Sequence, residues 1–269
     1  MASLTLVGSA NCPPSQNLVV NGSFENGHPG TGPANQQYWA TGTGGTPFLG
    51  IPGWSGSGPA NNYALWGSDQ TTGPFHLRDS DILPDGQTGV YFGNGDFRNV
   101  SETPVFNPDF SVSFANPPVF SGFQYAGPTI LSQTIPTQLN PAPSYCLSFW
   151  VSGEFSDFST TPTPGIFGMR LLNTLVGDPV IYLSVPPGVN STIGKSHVYE
   201  FDFTPLDNSQ PVTLEFINHG HVGWTGGPFS TTELVLDDVR IMPEIVPEPS
   251  SIALMGLVIL TLAKHRRVG

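Results

Sequence analysis

The sequence predicts an all-β protein, an antiparallel two-sheet sandwich, and three observations carry that prediction. Apolar and polar residues alternate at period two through most of the second half of the chain. The 32 Gly and 28 Pro interrupt every long helical pattern, and 18 Phe supply bulky side chains for a core between sheets. At 269 residues the chain exceeds the usual domain size, but sandwiches of more than about 200 residues are common, so one folded domain with processed ends fits.

In chain order, the stretch "MASLTLVGSANCPP" has an apolar run followed by small residues, Gly8-Ser9-Ala10, of the kind that precede a signal-peptidase cut. Residues 1–16 therefore read as the remnant of a secretory signal or as a disordered leader. The run "NLVVNGSFENG" then opens the folded domain, residues 17–243, as a short β-branched segment ending in turn residues. To about Gly127 the chain is rich in Gly, Pro and Asn, with apolar islands at Ala64–Trp66, Val90–Phe92 and Ser111–Phe114 that read as short strands between long loops.

Beyond that point the pattern sharpens. In "SYCLSFWVSG" Tyr145, Leu147, Phe149 and Val151 alternate with Cys146, Ser148, Trp150 and Ser152. Tyr199, Phe201 and Phe203 alternate with Glu200 and Asp202, and Val212, Leu214 and Phe216 with Thr213 and Glu215. Such alternation marks strands with one buried face. The runs "TILSQTI", "FGMRLLNTLV", "VIYLSV" and "ELVLDDVRI" bring the number to that of a two-sheet sandwich.

Charge bounds the partners. Before Val246 there are 5 Lys or Arg against 19 Asp or Glu, a net of −14. A field of that sign repels nucleic acid and anionic headgroups, and it suits an extracellular protein or one that takes divalent cations. Two cysteines, Cys12 and Cys146, are too far apart for a CxxC motif. They either pair, closing a loop of more than 100 residues worth about 4–5 kcal/mol on a chain-entropy account, or remain two thiols.

The end of the chain, residues 244–269, is different in kind. Pro247, Glu248 and Pro249 precede an uncharged run from Ser250 to Ala263, and Lys264, Arg266 and Arg267 close it. As helix that run spans about 21 Å, short of the ~30 Å hydrocarbon core, so it makes a weak anchor that snorkelling basic side chains extend. The basic cluster places the C-terminus in the cytoplasm and the folded domain outside. This tail resembles the PEP-CTERM sorting signal, a Pro-Glu-Pro motif followed by a transmembrane helix and a basic end. The resemblance implies recognition by exosortase, a membrane protease, during export in Gram-negative bacteria that make exopolysaccharide. It also implies a transient inner-membrane tether and then a place at the cell surface or in the matrix.

The pairing of "NLVVNGSFENG" at one end with "LVLDDVRI" at the other resembles the galactose-binding-like jelly-roll domains, with "IPGWSGSG", "ILSQTIPTQLNPAPSYCLSFWVSG" and "YEFDFTPLDNSQPVTLEFIN" as the matching interior. In such folds the first and last strands lie near each other, and an acidic residue from each can help hold a structural calcium ion. The resemblance implies a site from Glu25, Asp237 and Asp238, with the backbone carbonyl of Asn21 or Gly22 completing an oxygen shell.

Other constellations are weaker. His219 and His221 share a side of any extended segment, but no third ligand is near and the flanking "GWTGG" predicts a loop. "GWSGSG" lacks the spacing of a nucleophile elbow. Asp79 with Asp81, and Asp202 near Asp207, read as solvated carboxylates. Among the aromatics Trp54 reads as core, Trp150 as the non-core face of its strand, and Trp39 and Trp224 as exposed rings able to stack on a sugar. With no credible nucleophile and base, no three-ligand metal cluster and no phosphate loop, the expectation is a non-catalytic exported surface or matrix protein associated with exopolysaccharide. A lectin-like carbohydrate-binding module is the alternative, and a glycan-active hydrolase a weaker one.

Overall fold

The computed structural model describes residues 16–26, 37–39, 51–57, 63–67, 83–86, 88–92, 99–121, 128–141, 144–155, 165–175, 177, 179–185, 193–221 and 232–244. Every element within them is a strand: β1 Gln37–Trp39, β2 Ser55–Ser57, β3 Tyr63–Gly67, β4 Thr88–Phe92, β5 Asn99–Val100, β6 Val105–Phe106, β7 Val112–Ser113, β8 Phe120–Ser121, β9 Thr129–Thr134, β10 Tyr145–Phe155, β11 Gly165–Leu172, β12 Ile181–Val185, β13 Ile193–Phe203, β14 Thr213–His221 and β15 Thr232–Pro243. One sheet runs β1-β3-β4-β15-β10-β13 and the other β12-β11-β14-β9-β2, with two small ribbons, β5-β8 and β6-β7, beside them. All pairings are antiparallel. From β9 onward the chain changes sheet at almost every connection, so neighbours in a sheet are distant in sequence, as a jelly roll requires.

The inward faces carry the apolar half of each alternation. Leu147, Phe149 and Val151 of β10, with Tyr199, Phe201 and Phe203 of β13, pack against Phe167, Met169 and Leu171 of β11 and Leu214 and Phe216 of β14. Phe149 is the hub, edge-on to Phe216 at 4.9 Å and to Phe167 at 6.1 Å, and stacked on Tyr199 at 5.4 Å. Its truncation to Ala should cost about 3–5 kcal/mol.

The alternation of β10 does not leave its second face half wet. Cys146, Ser148, Trp150 and Ser152 are all buried although they lie off the core. Cys146 is disulfide-bonded; Cys12 lies outside the described residues.

The opening run behaves differently from a strand. Residues 17–22 form a turn-rich segment laid along the second half of β15, with Leu18 N–H donating to Ile241 O at 2.9 Å and Val239 N–H to Gly22 O at 2.9 Å. The Asn17 side chain replaces missing ladder bonds: Oδ1 accepts from Ile241 N and Val19 N, and Nδ2 donates to Val239 O, each at 3.0 Å. Gln133 closes the other side, accepting from Val20 N and donating to Val20 O at 2.8 Å. Gly22 is required there, because a Cβ would strike the Val239 carbonyl. The two ends of the domain are therefore joined.

Candidate functional site

The seam between those ends is built by a phase slip in β15. In "LVLDDVRI" the core residues are Leu234 and Leu236, then Val239 and Ile241, so one extra residue intervenes. The ladder absorbs it as a bulge: Ser148 pairs with Arg240 and Trp150 with Asp237, leaving Asp238 and Val239 opposite Phe149. Asp238 takes the positive φ, 51°, that the extra residue needs. Asp237, opposite Trp150, faces away from the core and is nevertheless fully buried.

Neither carboxylate oxygen of Asp237 has a hydrogen-bond partner. The amides of Asp238 and Asp85 are near enough to favour its charge weakly, but neither reaches an oxygen at hydrogen-bonding geometry. Burial, reinforced by the carboxylates of Asp238 and Asp85, pushes its pKa up to about 8. Asp238 is half-buried and also raised, chiefly by burial, against the pull of Arg240. The Arg240 guanidinium binds Asp238 Oδ1 through Nε and lies 3.6 Å from Asp85, so it serves the two outer carboxylates and not Asp237.

Glu25 belongs to the same neighbourhood. Its carboxyl packs where a side chain on Gly86 would sit, and Gly86, at φ 85°, ends the turn that carries Asp85. Asp85 and Asp238 are thus the carboxylates that act on Asp237, and Glu25 reaches this region only through its contact with the turn at Gly86. Asn21 is differently used. Its carbonyl accepts from Phe24 N at 3.2 Å and Trp54 Nε1 at 3.1 Å, while its side chain ties Asn26 and Pro52. Gly22 O is taken by Val239 N–H.

A buried carboxylate with two unpartnered oxygens among hard oxygen donors fits calcium better than a softer metal. Among the described residues no three His, Cys, Asp or Glu side chains converge as a ready-made metal cluster. Any calcium shell would therefore draw on backbone carbonyls and water beside Asp237, with Glu25, Asp85 and Asp238 as the neighbouring carboxylates.

The remaining sequence candidates fall elsewhere. His219 and His221 lie in the last residues of β14, not in a loop, and their side chains are outside the described residues. Trp54 is core, as expected, and Trp150 lies on the non-core face, as expected, but buried. Trp39 is placed on β1 by its backbone only; Trp224, Asp79 and Asp81 are outside the described residues. Asp207 is exposed and caps a turn through Ser209, whereas Asp202 keeps one buried oxygen, Oδ1, without a partner.

A second feature was not legible as a site. The segment 99–121 folds as the two small ribbons and borders, with β12, an open cleft of about 470 Å³ lined by Val112, Phe114, Asn116, Pro117, Val180 and Tyr182 among others. It is fastened at Phe110, whose O accepts from Ser184 N at 2.9 Å and from Ser184 Oγ at 3.1 Å and whose ring stacks on His197 at 4.1 Å. His197 meets Tyr199 edge-on, and the Tyr199 hydroxyl donates to Ser184 O. Burial holds the His197 imidazole below its usual pKa.

Comparison with known proteins decides the tail. Residues 246–267 match the PEP-CTERM protein-sorting motif. The chain carries an exosortase sorting signal. Pro247, Glu248, Pro249, Lys264, Arg266 and Arg267 all lie within the match, which marks a protein for export with exosortase as its processing partner. The tail is outside the described residues, and so is the helix expected of it; among the described residues no helix is long and apolar enough to cross a membrane. No curated protein matches the chain in sequence.

The sandwich is similar to several solved structures. One is the enzymatically active domain of bacteriophage CBA120 tailspike protein 4, at 12% identity and TM-score 0.38, covering 85% of this chain and 21% of that one. Another is the N-terminal part of Clostridium thermocellum endo-1,4-β-D-xylanase 10B complexed with xylohexaose, at 14% and 0.37, covering 71% and 26%. A third is the family 11 carbohydrate-binding module of a C. thermocellum cellulosomal cellulase, at 12% and 0.27, covering 57% and 87%. The chain spans only about a fifth to a quarter of the first two. At these scores the fold rests on the chain's own topology.

Proposed function

We propose that this is an exported, non-catalytic surface or matrix protein that associates with exopolysaccharide and whose sandwich is clamped by a calcium ion at the seam of its two ends. The observation that carries the first part is the sorting motif at residues 246–267. Intact-mass measurement on protein from its native host tests it. The mature pool should have lost its C-terminus near Pro247–Pro249, and recovery of chain ending at Gly269 would contradict the reading.

The calcium part is supported by Asp237, whose two buried oxygens have no hydrogen-bond partner. An ion there would supply the missing counter-charge and tie β15 to the turn of Asp85 and to the opening segment through Glu25. The role proposed for it is structural.

A carbohydrate-binding reading is favoured by the cleft beside β12, where aromatic rings remain partly exposed on a rigid sheet. The non-catalytic assignment is tested by reducing-sugar release: none above a heat-killed control is expected on common polysaccharides, and reproducible release would make the protein an enzyme.

A further inference from the structure

The cleft of segment 99–121 has a composition that selects its ligand. Tyr182, from β12, meets Phe114 edge to face at 5.1 Å and Phe120 at 5.9 Å. All three rings are only partly buried, so apolar ring surface stays open to solvent on an element anchored through Phe110, Ser184 and His197. Packing alone gives no reason for this: the rings are not part of the core between the sheets.

Among the described residues the lining holds no acidic or basic side chain. Its polar members are the Tyr182 hydroxyl and Asn116, an exposed carboxamide whose Nδ2 donates to Glu102 at 3.3 Å. The charged residues of the segment 99–121 are both acidic, Glu102 and Asp109, and the chain before its tail carries a net charge of −14. An anionic ligand would enter against that field, with no basic side chain among the described lining residues to neutralise it. A ligand that suits the cleft presents an apolar face of C–H groups to the rings and hydroxyls to its rim, without charge.

We propose that the cleft binds an uncharged saccharide, with one sugar face against Phe114 and Tyr182 and hydroxyls toward Asn116. This rests on the exopolysaccharide reading and narrows it to neutral glycan. Proline-rich peptide is the less suitable occupant. Its recognition uses aromatic ridges lying side by side along an extended helix, whereas Phe114 stands at 82° to Tyr182 and 84° to Phe120.

The test is affinity electrophoresis of the full chain in a non-glycosidic detergent at fixed calcium, through gels holding xylan, galactan or dextran as neutral polymers and alginate or polygalacturonate as acidic ones. We expect retardation by at least one neutral polymer and by neither acidic one. Phe114→Ala should weaken it about tenfold or more, and Tyr182→Phe, which keeps the ring, about threefold. If Phe114→Ala fails to fold, Asn116→Ala at the exposed rim decides instead, with a loss of about threefold expected.

Retardation unchanged in every variant would overturn the cleft while leaving exopolysaccharide association standing. No retardation of the parent chain on any polymer would overturn both. Retardation by acidic polymers only would overturn the uncharged ligand. Binding of a proline-rich peptide with none to saccharide would give the cleft to a protein partner.

Discussion

Two carboxylates on the outer faces of the two sheets meet opposite fates. Glu215 of β14 stands directly across from Arg170 of β11, whose Nε donates to it at 2.7 Å and whose Nη2 reaches the same oxygen. Asp237 of β15 stands directly across from Trp150, at 0% exposure, with neither oxygen engaged. The first pair is complete within the chain and keeps some contact with water, at 31% and 15% side-chain exposure. A carboxylate buried without a cation beside it is pushed toward its neutral form, which is why the pKa of Asp237 rises to about 8, and a bound cation would restore its charge. One face thus holds an ion pair complete in itself, and the other a buried carboxylate without a hydrogen-bond partner, for which we propose calcium.

The largest effect that would break this comparison is at Asp237 itself. In saturating calcium, Asp237→Ala should lose the stabilisation that the ion gives, about 2.7 kcal/mol at a hundredfold excess over Kd, read as a lower midpoint in urea. In chelator the same variant should match the parent or exceed it, because it removes an unpaired buried carboxylate. A variant equally destabilised in both conditions would mean that Asp237 packs and does not bind. Glu25→Gln should lose part or all of the calcium response, and Asp85→Asn a smaller part, since Asp85 is half exposed and already near Arg240.

Arg170→Ala should cost less, about 1 kcal/mol or below, because the pair it breaks is partly solvated and screened. It should be indifferent to chelator. A calcium-dependent loss at Arg170 would erase the distinction between the two faces.

The smallest effect concerns His197. Burial depresses its pKa, so the folded state disfavours the imidazolium. The stability it permits is present in full above the ordinary imidazole pKa of about 6.5 and is lost as pH falls through the lower folded value. In chelator, melting temperature should therefore decline from pH 7.5 to 5 more steeply for the parent than for His197→Gln. Parallel profiles would show that the stack on Phe110 does not care about charge.

What could be read in advance followed from period-two patterning. β10, β13, β14 and β15 were legible because a strand with one core face must alternate, and Leu147, Phe149, Val151, Tyr199 and Phe201 do. The bulge was also written in the chain, in the three-residue step from Leu236 to Val239, but that signal is visible only when the phase is followed through the aspartates. Asp85 gave no sign, because its place depends on a turn packed against Glu25 across some sixty residues of sequence. The ribbons of 99–121 were equally hidden: two-residue pairings in a Pro-rich tract carry too few residues to show a period. Asn17 misled in the other direction, since a β-branched run beside it resembles a strand while its side chain performs the pairing.

The most direct measurement is calorimetric melting of the parent chain and of Asp237→Asn, each with calcium in about hundredfold excess over Kd and with chelator, at one pH. Asparagine keeps the shape of the side chain and removes its charge. We expect calcium to raise the parent's melting temperature by about 5–10 °C, and the variant's by nothing measurable. Superimposable curves for the parent with and without calcium, or an equal rise in the variant, would contradict a calcium-clamped seam.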